Sequence, residues 1–145
     1  MGTGLEKAQS NDTIKHLGEK MNKIIDYLNK IKPFLYFFYD GNAIVSTNLG
    51  GWLIGKNMTI NKIKVEVDTA PVGSSIIFDF YINGTSIFLN TANRPTIGTT
   101  TKDDTVEFQD INTKNLIEGD LLTWGIAQIG SATAGGNDIY ITVEM

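Results

Sequence analysis

The spacing of hydrophobic positions changes once along the chain, near Pro33. Before this point, apolar residues recur at alternating intervals of three and four. These residues are Ile14, Leu17, Met21, Ile24, Leu28 and Ile31. After it, apolar residues form short or alternating runs separated by Gly, Asn, Asp and Thr. The first pattern is typical of a heptad helix and the second of strands, so the chain is predicted to be a helix followed by β-structure.

The helical pattern predicts self-association. Ile14, Met21 and Leu28 occupy heptad position a, and the other three residues occupy position d. A narrow a/d seam is covered by partner helices, and mostly β-branched side chains at d suit three or four helices better than two. We therefore expect a homotrimer held by a short coiled coil. One amphipathic helix that packs on its own β-region is the alternative that the pattern leaves open.

The ends of the helix are predicted from its breakers and caps. Pro33 disfavours helix at the residue before it, which ends the pattern. A side-chain oxygen can cap the first turn from Ser10, Asn11 or Asp12. Residues 1–11 contain two glycines and little hydrophobic pattern, so we expect a flexible N-terminus there. The predicted domains are therefore 1–33, a flexible N-terminus with a helix of about 20 residues for trimerisation and anchoring, and 34–145, a β-sandwich head.

The head is predicted to be an all-β, jelly-roll-like sandwich of about eight antiparallel strands. The strand-like runs cover residues 34–39, 50–55, 60–67, 76–82, 85–89, 105–108, 121–129 and 139–145. Asn83 and Gly84 form a two-residue hairpin turn in which both residues need positive φ. Residues 90–103 are predicted to be a long loop with at most one short strand.

Charge and composition exclude several classes of partner. The net charge of −4 divides into +2 over residues 1–33 (six Lys, four acids) and −6 over residues 34–145 (five Lys, one Arg, twelve acids). An acidic head without a basic stripe argues against nucleic acid. No cysteine is present, and no run has the length of a signal-peptide core or a membrane span, so we expect no membrane partner.

Candidate catalytic groups are scattered rather than paired. The single histidine, His16, lies at heptad position c on the outer side of the predicted helix, away from any nucleophile in the head. The acids that could in principle form a pair are Asp79, Glu107, Asp110, Glu118, Asp120 and Asp138. Neither they nor the acidic loops at 102–104 and 136–138 match a known catalytic or calcium-loop spacing. We therefore predict no enzymatic activity, no cofactor and no metal.

Aromatic residues are the remaining candidates for ligand contact. Two tryptophans, Trp52 and Trp124, are the leading candidates for stacking on a saccharide, with Tyr36 and Tyr39 next. Aromatic residues in strands more often fill a sandwich interior or a subunit interface.

Four segments in order resemble a β-module of bacteriophage virion proteins. They are the strand–Asn-Gly-Thr–strand hairpin at 78–88, the Pro-Thr-Ile segment at 94–97, the acid-Gly-Asp turn at 117–122 and the Gln-Ile-Gly-Ser loop at 128–136. Such modules are found in tail-fibre tips, baseplates and capsid decorations, where a jelly-roll head trimerises behind a short helical anchor.

The resemblance implies a non-enzymatic structural protein on the virion surface, made in the host cytoplasm. The partners that it implies are further copies of the chain and capsid or other virion proteins. The short shaft favours a capsid decoration or a short head fibre. The alternative is a tail-fibre or baseplate module that binds host-surface saccharide.

Overall fold

The computed structural model describes residues 3–130 and 136–145, with side chains from residue 12 onward. Two compact units are present, Met1–Lys32 and Pro33–Met145. The first contains helix α1 (Thr3–Lys30), and the second contains all the strands described. We describe each unit by itself.

Helix α1 is longer at its N-terminus than the sequence pattern predicts. It begins at Thr3, so residues 3–11, expected to form a flexible N-terminus, belong to the helix, and the proposed caps at 10–12 lie inside it. Residues 5–9, Leu-Glu-Lys-Ala-Gln, all have good helix propensity and extend the helix past the heptad seam. The helix ends at Lys30, shortly before Pro33 as expected, and the Ile31 N–H still donates to the Leu28 carbonyl at 3.2 Å.

Eleven strands form the second unit within the described residues. They are β1 (Phe34–Asn42), β2 (Ser46–Leu53), β3 (Met58–Thr59), β4 (Lys62–Val67), β5 (Ile76–Ile82), β6 (Thr85–Ser86), β7 (Thr96–Ile97), β8 (Asp103–Glu107), β9 (Asn115–Leu116), β10 (Leu121–Gln128) and β11 (Asn137–Glu144). Short 3-10 helices cover Thr91–Asn93 and Phe108–Asp110. Four of the strands have only two residues.

The strands pair in a nested antiparallel order. One sheet has the order β1-β11-β4-β8, and the other has the order β2-β10-β5-β6, with β7 also paired to β5. The first strand therefore pairs with the last, the second with the second to last, and so on inward to β5 and its partners. The β3–β9 pair follows the same order but forms a separate small sheet. This is the pairing of a long hairpin rolled into two sheets, the jelly-roll topology. The predicted all-β jelly-roll-like sandwich is confirmed.

Alternating side chains of the two sheets form the core. On β4, Ile63, Val65 and Val67 are buried while the lysines and glutamate between them are partly exposed. The same alternation on β11 buries every second residue from Ile139 to Val143. The period of two in the sequence thus predicts correctly which side of these strands is buried.

The hairpin between β5 and β6 has the predicted turn. Asn83 and Gly84 have φ of 50° and 84°, as both central positions of a type I′ turn require. The Asn83 side chain donates to Asp120 Oδ1 at 2.7 Å and accepts from the Leu121 N–H at 2.9 Å. The turn is thereby joined to the start of β10. The second strand of the hairpin is shorter than predicted and ends at Ser86.

Gly125 marks a close approach of backbones in the second sheet. It lies on β10 opposite Asp79 of β5, and a Cβ at this position would collide with the Ser46 carbonyl oxygen and the Thr47 backbone of β2. Backbone atoms of a paired strand cannot move aside as a flexible side chain can. Only glycine fits here without displacing β2.

We expect Gly125→Ala to destabilise the head by about 1–3 kcal/mol, because the added methyl group forces β2 away from β10. Urea unfolding followed by tryptophan fluorescence measures this effect. Gly55→Ala is the matched control, since no atom lies within 4 Å of its added Cβ. Equal stability of the two variants would contradict the close approach.

Candidate functional site

The heptad residues form an exposed apolar seam on α1 and its C-terminal end. All six are more than half exposed, from 54% for Ile31 to 65% for Ile14. Ile25, at heptad position e, and Tyr27, at position g, widen the apolar surface, with exposures of 49% and 69%. The predicted oligomerisation residues therefore lie at the surface of a single chain, where a partner can reach them.

A second exposed apolar surface lies on β1. Phe34, Tyr36 and Phe38 alternate with more buried neighbours and are 64%, 50% and 53% exposed. We call these three residues the β1 aromatic strip. Sequence analysis predicted strand at 34–39 but missed this surface, because every residue in that run is apolar. An unbroken apolar run carries no period-two signal to distinguish its inner face from its outer face.

The two candidate saccharide-binding tryptophans have different environments. Trp124 is only 1% exposed, and its ring packs edge-on against Tyr39 with centroids 6.1 Å apart. The expectation that Trp124 contacts a ligand is therefore wrong, because its position on central strand β10 directs the ring into the core. Trp52, on edge strand β2, remains 48% exposed and packs edge-on against Phe37 at 6.3 Å. Its contact with saccharide stays a prediction.

A shallow cavity on the second sheet brings polar groups and one aromatic ring together. Its volume is about 340 Å³, and it is lined by Thr47, Asn48, Tyr81, Gly84, Leu121 and Thr123. Burial, together with the nearby Asp79 carboxylate, raises the pKa of the Tyr81 phenol. A side-chain hydrogen bond also joins the phenol to Asp79, so its proton is used within the fold and its oxygen is left to accept.

The acid Asp79 forms a structural ion pair. It is 1% exposed, and its Oδ2 lies 2.7 Å from Nη2 of Arg94, the single arginine of the chain. The other oxygen, Oδ1, accepts from the Ser86 hydroxyl at 2.7 Å and from the Phe80 N–H at 2.9 Å. With both oxygens in use, Asp79 joins β5 to the segment before β7 rather than facing a substrate.

The other candidate acids are also engaged or dispersed. Asp120 is buried and accepts hydrogen bonds from Asn83 and from the Ile117 N–H. Asp138 accepts from the Gly41 N–H at 2.9 Å, and exposed Glu107 lies 3.4 Å from Lys62. These contacts stabilise loops and strand ends, and they leave no carboxylate pair across a groove among these residues.

The remaining candidate groups take structural or surface positions. His16 is exposed on α1, 3.8 Å from the Glu19 carboxylate. Asp104, expected in a loop, lies on β8 and accepts from the Thr96 N–H at 2.6 Å. Within residues 12–130 and 136–145, no three His, Cys, Asp or Glu side chains form a group able to hold a metal ion. Most of the 128–136 loop lies outside the described residues.

These contacts join one of the family-like segments to two of the others. The 78–88 hairpin contacts the 94–97 segment through Asp79 and Arg94 and the 117–122 turn through Asn83 and Asp120. The residues that carry the resemblance thus serve the fold.

Comparison with solved structures supports the same fold. The chain is similar to a chain of the capsid of Ralstonia phage GP4, with a TM-score of 0.53 and 14% identity over 79% of this chain and 83% of that one. No protein-family model and no curated protein matches the sequence. The resemblance to bacteriophage virion proteins is confirmed at the level of the fold.

None of the helices in the described part of the chain is long and apolar enough to cross a membrane.

We expect Arg94→Ala to lower the free energy of unfolding by about 3–5 kcal/mol, because it leaves the buried Asp79 carboxylate without a countercharge. Chemical denaturation measures the loss. Lys62→Ala is the control, since its pair with Glu107 is exposed and contributes about 0–1 kcal/mol. A loss at Arg94 no larger than at Lys62 would contradict the structural role of the buried pair.

Proposed function

We propose that this chain is a non-enzymatic structural protein of a bacteriophage virion. In this proposal it is a homotrimeric capsid decoration or short head fibre, anchored to the particle by its N-terminal helix. The exposed heptad seam in front of a jelly-roll head is the observation that carries the proposal. Two of the acids considered for catalysis, Asp79 and Asp120, are held in an ion pair and in hydrogen bonds of the fold, which supports a structural role for them.

The structural likeness supports the virion assignment. The neighbour is a phage capsid chain, and the similarity extends over 83% of its length. In the present chain, a helix precedes the head. This order agrees with the virion module that the four sequence segments resemble. Fold alone does not assign a function, so the proposal depends on the likeness together with the exposed seam.

The residues beside the seam support parallel association of the helices. In a parallel bundle, position g of one helix faces position e of its neighbour in the next heptad. Lys20 would then face Ile25, and Tyr27 would face Lys32. The Lys20 methylene groups can cover Ile25, and the Lys32 ammonium can lie against the Tyr27 ring. No like charges are brought together at these positions.

The helix also has a segment that the seam does not use. Counted backward, the heptad places Lys7 at a and Ser10 at d, so the apolar seam begins at Ile14 although the helix begins at Thr3. Residues 3–13 add about 16 Å of helix. We propose that this segment contacts the particle. Three such segments on one trimer would bind a symmetric site by avidity.

Association in solution tests the trimer. We expect light scattering to give about 48 kDa, three chains of 15.9 kDa. Ile24→Asp should convert the protein to a monomer, because it places a charge in the seam. Lys23→Asp, a neighbouring change at position c, should leave the trimer intact. A monomeric wild-type protein at micromolar concentration would contradict the proposal.

Particle location has its own test. Mass spectrometry should detect the chain in purified virions of the phage that encodes it, and capsid genes on either side of its gene would indicate decoration. Neighbouring baseplate genes would favour adhesion instead. Removal of residues 1–33 should abolish docking to particles. Undiminished docking without them would contradict the anchoring role.

A second candidate function is recognition of host-surface saccharide. The 340 Å³ cavity favours it, since threonine hydroxyls and the Asn48 amide offer neutral hydrogen bonds beside the Tyr81 ring and an apolar side chain, Leu121. Cavities of this size accommodate small ligands. Half-exposed Trp52 offers a separate stacking surface.

Glycan-array binding distinguishes the two sites of this second candidate. If the cavity binds saccharide, Asn48→Ala should weaken binding about tenfold, corresponding to one or two lost hydrogen bonds. If Trp52 binds it, Trp52→Ala should have that effect and Asn48→Ala should not. Thermal unfolding of each variant controls for loss of fold. Wild-type protein that binds no glycan would contradict the second candidate.

A further inference from the structure

The outer face of the first sheet is divided into an aromatic part and a charged part. Phe38 packs against Tyr140 of β11 with ring centroids 5.0 Å apart, extending the β1 aromatic strip by one ring. Toward the opposite edge of the sheet, Lys62 of β4 lies 3.4 Å from Glu107 of β8. Lys64 lies 3.0 Å from Glu66. The aromatic surface is thus confined to the β1 side, while β4 and β8 carry ion pairs.

Strand β1 is also an edge strand, with Pro33 directly before it and a register shift only after Tyr39. It pairs only with β11 in the described part of the chain, and its first charged residue is Asp40, near the end of the strand. Natural edge strands avoid unwanted pairing through lysines, prolines, bulges or short length. Residues 34–39 have none of these features. A long aromatic edge of this kind indicates a surface that is covered in the working protein.

The position of the strip in the chain indicates what covers it. Ile31, the last seam residue, is followed three residues later by Phe34, the first residue of the strip. Three residues of extended chain span about 10 Å. In a trimer joined through the seam, each Phe34 therefore lies within about 10 Å of its own Ile31, whatever the arrangement of the heads.

Charge favours the same occupant. Residues 34–145 carry a net charge of −6, so most head surfaces of neighbouring protomers repel one another. The strip itself is uncharged, and Glu144, which lies opposite Phe34, is paired in register with Lys62 on its other side. Asp40 follows on the same side of β1, and Asp40, Asp68 and Asp138 all lie near the Tyr140 phenol. Acidic heads can therefore approach at the Phe34 end of the strip without burying like charges.

We infer that the β1 aromatic strip is a second self-association surface, in which the strips of three protomers pack against one another. This inference rests on the proposed trimer and deepens it. The short helical seam is close to the length at which isolated helices are marginal. Contact between the strips supplies the additional apolar burial that holds the trimer together.

Cysteine cross-linking tests the inference, because the natural chain has no thiol. Tyr36→Cys places one thiol on the strip, and Leu89→Cys places one on a loop residue that is 80% exposed. A short bis-maleimide should join Tyr36→Cys chains into a band of about 32 kDa, two chains of 15.9 kDa, in up to two-thirds of the chains. Leu89→Cys should give only background cross-linking.

Each outcome decides between the two proposals. A protein that is trimeric by light scattering, but in which Tyr36→Cys cross-links no better than Leu89→Cys, would overturn the inference and leave the trimer standing. A monomeric wild-type protein would overturn the trimer and this inference together. Cross-linking at Tyr36 in the trimer supports both.

Trimer dissociation on dilution gives a second measurement. Phe34→Ser combined with Phe38→Ser should raise the concentration at which the trimer dissociates by about tenfold or more, because two apolar rings no longer leave water. Val72→Ser combined with Leu89→Ser removes two exposed apolar side chains from loops and is the matched control. Equal dissociation of the two double variants would count against the strip.

Discussion

Burial of alternate side chains between two sheets is the interaction on which the structure of the head depends. Ile63, Val65 and Val67 of β4 share one core with the equally buried side chains of β5 and β10. Because this layer is complete within Pro33–Met145, the head does not need the helix to form its core. The apolar residues that remain exposed are therefore available for association with other chains.

Those exposed residues follow one another along the chain. The heptad seam ends at Ile31, and the β1 aromatic strip begins at Phe34. A helix that projects an apolar seam and an edge strand that projects three rings would be liabilities in a lone protein. The proposed self-association through both surfaces would account for them with a single partner, a further copy of the chain.

The polar residues of the head hold the jelly roll in register. Arg94 and Asp79 join the long excursion after β6 to strand β5, and Asn83 joins the hairpin turn to the start of β10. Both contacts use residues of the segments that resemble phage virion modules. These segments therefore contribute turns and an ion pair that hold the head together.

The sequence by itself determined the types of element, the positive-φ turn at Asn83 and Gly84, and the heptad seam, since each depends on residues close together in the chain. It misplaced the start of the helix because local helix propensity over residues 5–9 outweighed two glycines. Only the tertiary structure decided the strand order, the burial of Trp124 beside the exposure of Trp52, the outward face of β1 and the pairing of Asp79 with Arg94. These features depend on which strands are central and which lie at an edge, and that is set by contacts between residues far apart in the chain.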